Sequence, residues 1–380
     1  MNGGTSALSI VHTEASNGWG GQEIRTLTEA RGFITRGHRV VVYAAPGSRI
    51  LEEAARFRVP AIALAIGRKR PRGVTTLVRA FGGDAVDIVN AHSSTDAWLA
   101  ALACRFLRAR KRAAPVLVRT RHVSIPVPND RATQWLYRRA TTRIVTTGEA
   151  LKEQLVRDNG LDPRRVDSVP TGIDPAQFAP RDKAAARAAL GLHATAPLIG
   201  IVATLRSWKG HRYLLEAMPR LHAQSARLVI VGDGPQRAAL EAQTDALGLR
   251  SRVTFAGQQA DVAPWLNALD VFVLPSYANE GVPQALLQAM FAGVPCVTTD
   301  AGAIPEIARN DDTALVVSRE NPPALARAID SLLDDGAVGV RIAKAAREFV
   351  LPRFGLDAML DRMEAVFRQA LADARAAANR

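Results

Sequence analysis

Short apolar runs alternate with stretches of helical period along nearly the whole chain, the pattern of alternating strands and helices. Residues 7–12 predict a first strand. Residues 22–36 repeat Ile24, Leu27, Ala30 and Ile34 at helical spacing, and residues 39–44 predict a second strand. Between them, Asn17, Gly18, Gly20 and Gly21 make a turn whose glycines let backbone approach a ligand closely. The spacing is not GxGxxG and no acid closes the second strand, which disfavours a nicotinamide dinucleotide. Further strands are predicted at 59–65, from 88 to about 91, at 116–119 and at 144–146, with helices at 75–81, 97–107 and 150–157. His92 and His122 fall just past two of these strand ends, beside arginines, on the edge where parallel sheets collect ligands.

A connection rich in Pro, Gly and Asp, TGIDPAQF at 171–178, interrupts the pattern. Beyond it the alternation resumes, with strands at 198–205, 228–232, 253–257, 271–276, 294–299 and 315–317 and helices between them. A long amphipathic helix is predicted at 356–378. Two consecutive alternating runs predict an α/β protein of two doubly wound, Rossmann-like domains facing across a cleft, with the cleft as the ligand site. Within the second run, residues 271–276 are a buried-strand pattern followed by a loop with Glu280 and Gly281. Pro283 is expected as the first residue of a helix over 284–291 that stops at Ala292 and Gly293. A helix N-terminus at the carboxyl edge of a sheet favours an anionic ligand.

Charge changes this picture unevenly. The chain has 380 residues and a net charge of +13, and residues 1–180 hold 27 Lys+Arg against 15 Asp+Glu, so almost all of the excess lies in the first half. The basic clusters are 68–72, 105–112, Arg119 with Arg121, and Arg138 with Arg139. They lack interleaved aromatics, so no nucleic-acid partner is expected, whereas anionic lipid headgroups fit a basic surface. An apolar fraction of 48% places the chain among globular proteins. Two cysteines, Cys104 and Cys296, far apart in apolar segments, argue against a disulfide framework or a thiolate metal site. The start shows no basic and apolar leader pattern, and no apolar run approaches the ~20 residues of a spanning helix. A cytoplasmic protein, peripheral at the inner membrane face, is the expectation.

The segment SYANEGVPQALLQAMFAGVPCVTTDAGAIPEI resembles the signature of the family 4 retaining glycosyltransferases, which have the GT-B fold. GWGGQE near the start, VPTGIDPAQF at the connection, LRSWKGH, VGDGP and RFGLDAMLDRMEAVF agree with the resemblance in order along the chain. It implies domains at 1–175 and 176–357, with residues 358–380 returning to the first. It further implies sugar transfer from a nucleotide-sugar donor to a glycan or lipid-linked acceptor of lipopolysaccharide or exopolysaccharide synthesis. No cofactor and no metal are implied, since the nucleotide sugar is a substrate.

The resemblance also distributes roles. Arg206 and Lys209 match the donor-phosphate cations, although the gap between them is shorter than usual, and fixed cations are what a leaving diphosphate needs. Gly281 and Val282, with Gly20 and Gly21, match backbone that holds phosphate or sugar hydroxyls. Glu280 matches the first carboxylate of an E-x7-E motif that accepts from sugar hydroxyls. The second position is Gln288, a departure that leaves ribose binding altered and nucleotide preference open. Gln284, one turn earlier on the same face, is placed to read the sugar. His122 matches the histidine near the anomeric centre, and His92 and Asp96 are assigned to the acceptor side. Glu280→Ala is expected to abolish transfer with stability nearly unchanged, as for a loop acid. A GT-B epimerase or phosphorylase, or a non-catalytic nucleotide-sugar binder, is the alternative.

Overall fold

A computed structural model of the chain describes residues 6–83, 85–122, 125–278 and 280–378. Residues 1–5, at the chain start read above for a leader, lie outside the described residues. So do Val123 and Ser124, beyond the fifth strand, and Asn279 of the motif. The chain divides into two compact units, Met1–Gly172 with Asp357–Arg380, and Ile173–Leu356.

The first unit contains β1 (Ser9–Glu14), α1 (Gly21–Thr35), β2 (Arg39–Ala44), α2 (Arg49–Ala54), β3 (Ala61–Ala63), α3 (Pro71–Gly83), β4 (Ile88–Ala91) and α4 (Ser94–Ala109). It continues through β5 (Val116–Arg121), α5 (Arg131–Trp135), β6 (Arg143–Thr146), α6 (Glu149–Asn159) and β7 (Val166–Ser168). The sheet order is β3-β2-β1-β4-β5-β6-β7, and its strand pairs are parallel. Buried on both faces, its strands carry the apolar runs read above. Val11, Val89, Leu117 and Ile144 pack with Leu99, Cys104 and Leu107 of α4.

The second unit contains α7 (Lys183–Ala189), β8 (Leu198–Val202), α8 (His211–Ala217), β9 (Arg227–Val231), α9 (Arg237–Ala246), β10 (Val253–Gly257), α10 (Ala263–Asn267) and β11 (Val271–Leu274). It ends with α11 (Gln284–Phe291), β12 (Cys296–Thr299), β13 (Leu315–Val317), α12 (Pro322–Asp334) and α13 (Gly336–Phe354). Its sheet, order β10-β9-β8-β11-β12-β13, is again parallel. Cys104 and Cys296 are both buried and unpaired, one in each unit, with burial pushing both thiols up and Cys104 to about 12.

The chain then returns to the first unit as α14 (Leu356–Ala378). The ring of Phe367 lies 5.5 Å from that of Phe33 in α1, Arg36 donates to Asp361 at 2.6 Å, and Met363 faces the buried Arg25 guanidinium. Three boundaries differ from expectation. Strand β3 covers only Ala61–Ala63, and α3 starts earlier, at Pro71, a residue suited to a helix start. Pro283 is the residue before α11, extended at φ −73 and ψ 121, not its first helical residue. Elements α2 and α5, with a π-helical turn at Leu136–Ala140 after α5, were not anticipated.

Candidate functional site

In each sheet the strand order reverses at one place, between β1 and β4 and between β8 and β11. Loops leaving the carboxyl ends of strands at such a reversal diverge and leave a crevice for a ligand. The expected site residues fall into these two places.

In the second unit, the β8 loop carries Arg206 and Lys209, and the β11 loop carries Glu280, Gly281 and Val282. Gly210 allows the first loop to turn, with φ at +75, and a Cβ there would collide with the carbonyl oxygen of Pro275 at the end of β11. Tyr277 N–H donates to the Trp208 carbonyl at 2.9 Å, tying the two loops together. The Lys209 ammonium stands 2.6 Å from Oε1 of Glu280, and the Ser276 hydroxyl donates to the same oxygen at 2.6 Å. Glu280 is 5% exposed and its carbonyl accepts from Ala303 N–H at 3.2 Å. It is therefore a buried, paired acid and not the solvated loop acid assumed in the stability expectation. Arg206 is exposed, its guanidinium 5.4 Å from the Trp208 ring centroid.

Val282 and Pro283 are buried, and Pro283, the residue before α11, gives its first turn no side-chain cap; the helix starts four residues after Glu280. Gln284 and Gln288 lie half-buried one turn apart on that helix. Next to Lys209, His211 is 2% exposed with both ring nitrogens unpartnered, and burial, then Lys209, pushes it down to about 3. Nothing in the sequence reading singled it out.

In the first unit, Gly20 is the residue before α1 and Gly21 its first, and the Gly20 carbonyl accepts from Ile24 N–H at 3.0 Å. At the end of β1, Glu14 is fully buried. Its carboxyl accepts from Ser16 N–H at 2.8 Å and from the Gln22 amide at 2.5 Å. Burial first, then the neighbouring Asp96 and Glu23, push it up to about 8. Asp96 is buried too, and both its oxygens are taken up inside the fold. One accepts from Ser93, the other from the Thr13 hydroxyl at 2.7 Å and from His92 N–H at 3.0 Å. This is a capping box for α4. The acceptor role expected of Asp96 is corrected accordingly: the carboxylate has no face left for a substrate and instead fixes the start of α4 and the backbone of His92.

His92 and His122 meet, and a third histidine joins them. His12 Nδ1 lies 2.9 Å from His92 Nε2, and His92 Nδ1 lies 2.9 Å from His122 Nε2. The parallel pairing of β1 with β4 and of β4 with β5 brings His12, within β1, near His92 and His122, which follow the last residues of β4 and β5. Burial is the first cause that holds all three rings well below the ordinary histidine range, His12 at about 3, so they are neutral. A neutral chain has one N–H per ring, and the order of donors must run one way. His12 Nε2 is buried without a partner. A buried orphan N–H is rarer than an under-used acceptor, so His12 Nδ1–H donates to His92 and His92 Nδ1–H donates to His122. That leaves His122 with its proton on Nδ1, as a hydrogen-bond donor.

His92 and His122 also line a cavity of about 450 Å³ that lies wholly within the first unit, together with Lys69, Trp98, Arg119, Arg121 and Tyr137. Tyr137 comes from the turn after α5, whose start Asp130 caps through Thr133 N–H. That Asp-x-x-Thr signal was present in the sequence. A second depression, of about 310 Å³ around Pro197, Arg227 and Arg252, opens at the amino ends of the second sheet's strands. It is on the wrong edge to belong to the site. Among the described residues no helix is long and apolar enough to cross a membrane.

Residues 196–335 match the family model described as glycosyl transferases group 1, and residues 19–177 match that of glycosyltransferase family 4. The D-inositol 3-phosphate glycosyltransferase of Mycobacterium marinum is 30% identical over 314 residues, 76% of this chain and 64% of that protein. The chain spans about half to two thirds of the length of the curated relatives it matches. A glycosyltransferase from Rickettsia africae superposes with a TM-score of 0.83 at 19% identity, over 97% of this chain and 99% of that one. Anabaena Alr3699/HepE in complex with UDP-glucose superposes with a TM-score of 0.83 at 20% identity, over 95% and 100%. These structural likenesses establish the GT-B fold.

Proposed function

The chain belongs to the family 4, group 1 glycosyl transferases, and from that premise we propose that it moves a sugar from a nucleotide-sugar donor to a glycan or lipid-linked acceptor. In this reading the anomeric configuration is retained and no metal takes part. The observation that carries the reading is the Lys209–Glu280 pair, held at 2.6 Å where the second sheet's order reverses and α11 begins. A cation, an acceptor-rich carboxylate and an uncapped helix start are what a sugar diphosphate needs there. UDP-glucose in the Anabaena neighbour gives the donor class its precedent.

The step breaks the bond from the anomeric carbon to the donor phosphate and forms one to the acceptor oxygen. The acceptor proton passes to the departing phosphate oxygen on the same face of the sugar. Negative charge grows on the leaving diphosphate, and Lys209, Arg206 and the N–H groups around Gly281 and Val282 stabilise it without reorganising. Glu280 accepts from the donor sugar's hydroxyls, Gln284 reads the sugar, and Gln288 holds the ribose by one acceptor and one donor. In the first unit, taken by itself, the family resemblance gives Gly20 and Gly21 a phosphate-binding backbone role and His122, a donor from Nδ1, a role toward a sugar hydroxyl. His92 acts through His122, as its positioning residue.

The acceptor belongs to cell-surface polysaccharide synthesis in this reading, met at the cytoplasmic membrane face. On α4, Leu102 and Phe106 are 40% and 44% exposed on the same face as Arg105, and Arg110, Lys111 and Arg112 follow. Such a face suits an anionic bilayer surface. Incubation with UDP-, GDP- and ADP-sugars and lipid extract tests the assignment, with mass spectrometry of the lipid and the anomeric proton coupling of the product as readouts. One donor should extend a lipid-linked glycan with retained configuration. Sugar release or epimerisation with no acceptor consumed would move the protein to the epimerase or phosphorylase class.

A further inference from the structure

We propose that the cavity of the first unit binds a phosphate group carried by the acceptor, close to the hydroxyl that is glycosylated; this rests on the sugar-transfer reading above. What carries it is a buried cation with no ion-paired anion among the described residues. Among the described residues three arginines are buried, Arg25, Arg119 and Arg187. Arg25 stands 3.5 Å from Glu29, and Arg187 2.6 Å from Asp270. Arg119, 4% exposed, makes no hydrogen bond or ion pair with a described residue, and its Nε is buried without a partner. A buried guanidinium without an anion is destabilising, so the anion is supplied from outside.

The surroundings agree. Arg119 and Arg121 are two apart on β5 and so project on the same face of the sheet. Tyr137 seats both: its ring lies 4.5 Å from the Arg119 guanidinium, and its hydroxyl accepts from Arg121 at 2.9 Å. Lys69 adds a third cation at the opening, 5.7 Å from the Trp98 ring. No carboxylate is among the described residues that line the cavity. Burial depresses the Arg119 guanidinium below its ordinary value, and Tyr137 and the more distant Asp96, which makes no ion pair with it, offset this only in part. Paired, planar guanidinium groups suit phosphate oxygens. Trp98, its ring stacked at 5.7 Å on that of Trp135, gives the cavity an apolar side, and about 450 Å³ admits one sugar or polyol ring with its phosphate. His122 lines the same cavity, which brings the bound acceptor to the residue assigned to the transferring sugar.

The test is calorimetric titration of the full chain with glucose, glucose 6-phosphate and a farnesyl-diphosphate-linked N-acetylglucosamine. UDP-glucose, GDP-glucose and ADP-glucose are titrated in parallel. A phosphorylated probe should bind at least tenfold tighter than glucose. Preference for the soluble or the prenyl-linked probe then says whether the phosphate comes from a free sugar phosphate or a lipid carrier. Arg119→Met should remove at least tenfold of that affinity while its Tm stays level or rises, because an uncompensated buried charge is gone; a structural arginine would lower the Tm instead. Lys69→Ala, at the exposed rim, should weaken the phosphorylated probes with no change in Tm. Equal binding of glucose and both phosphorylated probes, or full affinity in Arg119→Met, overturns the inference even when a nucleotide sugar binds. If no nucleotide sugar binds, it is the transfer reading that fails.

Discussion

Removing the Glu280 carboxylate should cost the second unit measurable stability as well as activity. The acid is 5% exposed and sits between the Lys209 ammonium and the Ser276 hydroxyl, each at 2.6 Å. Breaking a fully buried ion pair from one side costs about 3–5 kcal/mol. Lys209 retains 20% side-chain exposure, so part of its charge is recovered by water. The lost hydrogen bond from Ser276 to a charged acceptor adds ~1.5 kcal/mol. Together these place Glu280→Ala at about 3 kcal/mol. The matched change Lys209→Met in the same chain should return about 2 kcal/mol of that, as a coupling energy between residues in contact. Equilibrium urea unfolding of the four proteins of the cycle, followed through the transition of the second unit, measures both quantities. A destabilisation below about 0.5 kcal/mol, or a coupling energy of zero, would refute the placement of the pair. It would also restore the simpler view of Glu280 as a solvated loop acid.

Buried neutral histidines make the fold acid-sensitive. Histidines lowered in the native state bind no proton there, while the unfolded chain takes one below its ordinary value of 6.5. Stability is therefore lost as pH falls from 6.5 toward 3. His12 and His211, each at about 3, should cost about 2 kcal/mol apiece between pH 7.5 and pH 5, seen as a fall in the urea midpoint. Glu14 runs the other way. Raised to about 8, it stays protonated in the fold while the unfolded chain ionises near 4.5, so its contribution is lost as pH rises from 4.5 to 8. Glu14→Gln should raise the Tm at pH 8.5 and leave it unchanged at pH 4. Gln288→Glu should leave donor affinity unchanged or tighten it in a binding titration, and a loss of affinity contradicts the ribose assignment. His12→Leu should lower kcat with donor KM unchanged, and nitrogen NMR should show His122 losing its Nδ1 proton preference.

Local chemistry made much of the second site legible. The bounds of α11 follow from Pro283 at one end and Ala292–Gly293 at the other, and the apolar runs of β8 and β11 mark a parallel sheet. The loop after β11 offers Glu280 directly, whereas Lys209 stood out only through the family resemblance. What the sequence could not show is that these two side chains bury each other, because the lateral order of strands is not written in periodicity. The same gap hid the histidine chain. His12, His92 and His122 are separated by 80 and 30 residues and become neighbours only when β1, β4 and β5 align. His12 was passed over because it closes an apolar run and looks like a polar strand end. The α5 segment was missed because its helix is five residues long and continues into a π turn, yet it delivers Tyr137 to Arg119 and Arg121.

The proposed function requires the second unit of this chain to grip a nucleotide sugar between Lys209, Glu280 and the start of α11. Calorimetric titration of the 380-residue chain with UDP-, GDP- and ADP-glucose is the measurement that decides it. Saturable one-to-one binding of at least one of them in the micromolar range is expected, with the free nucleotide diphosphate competing. Absence of binding to all three by a protein that melts cooperatively would contradict it.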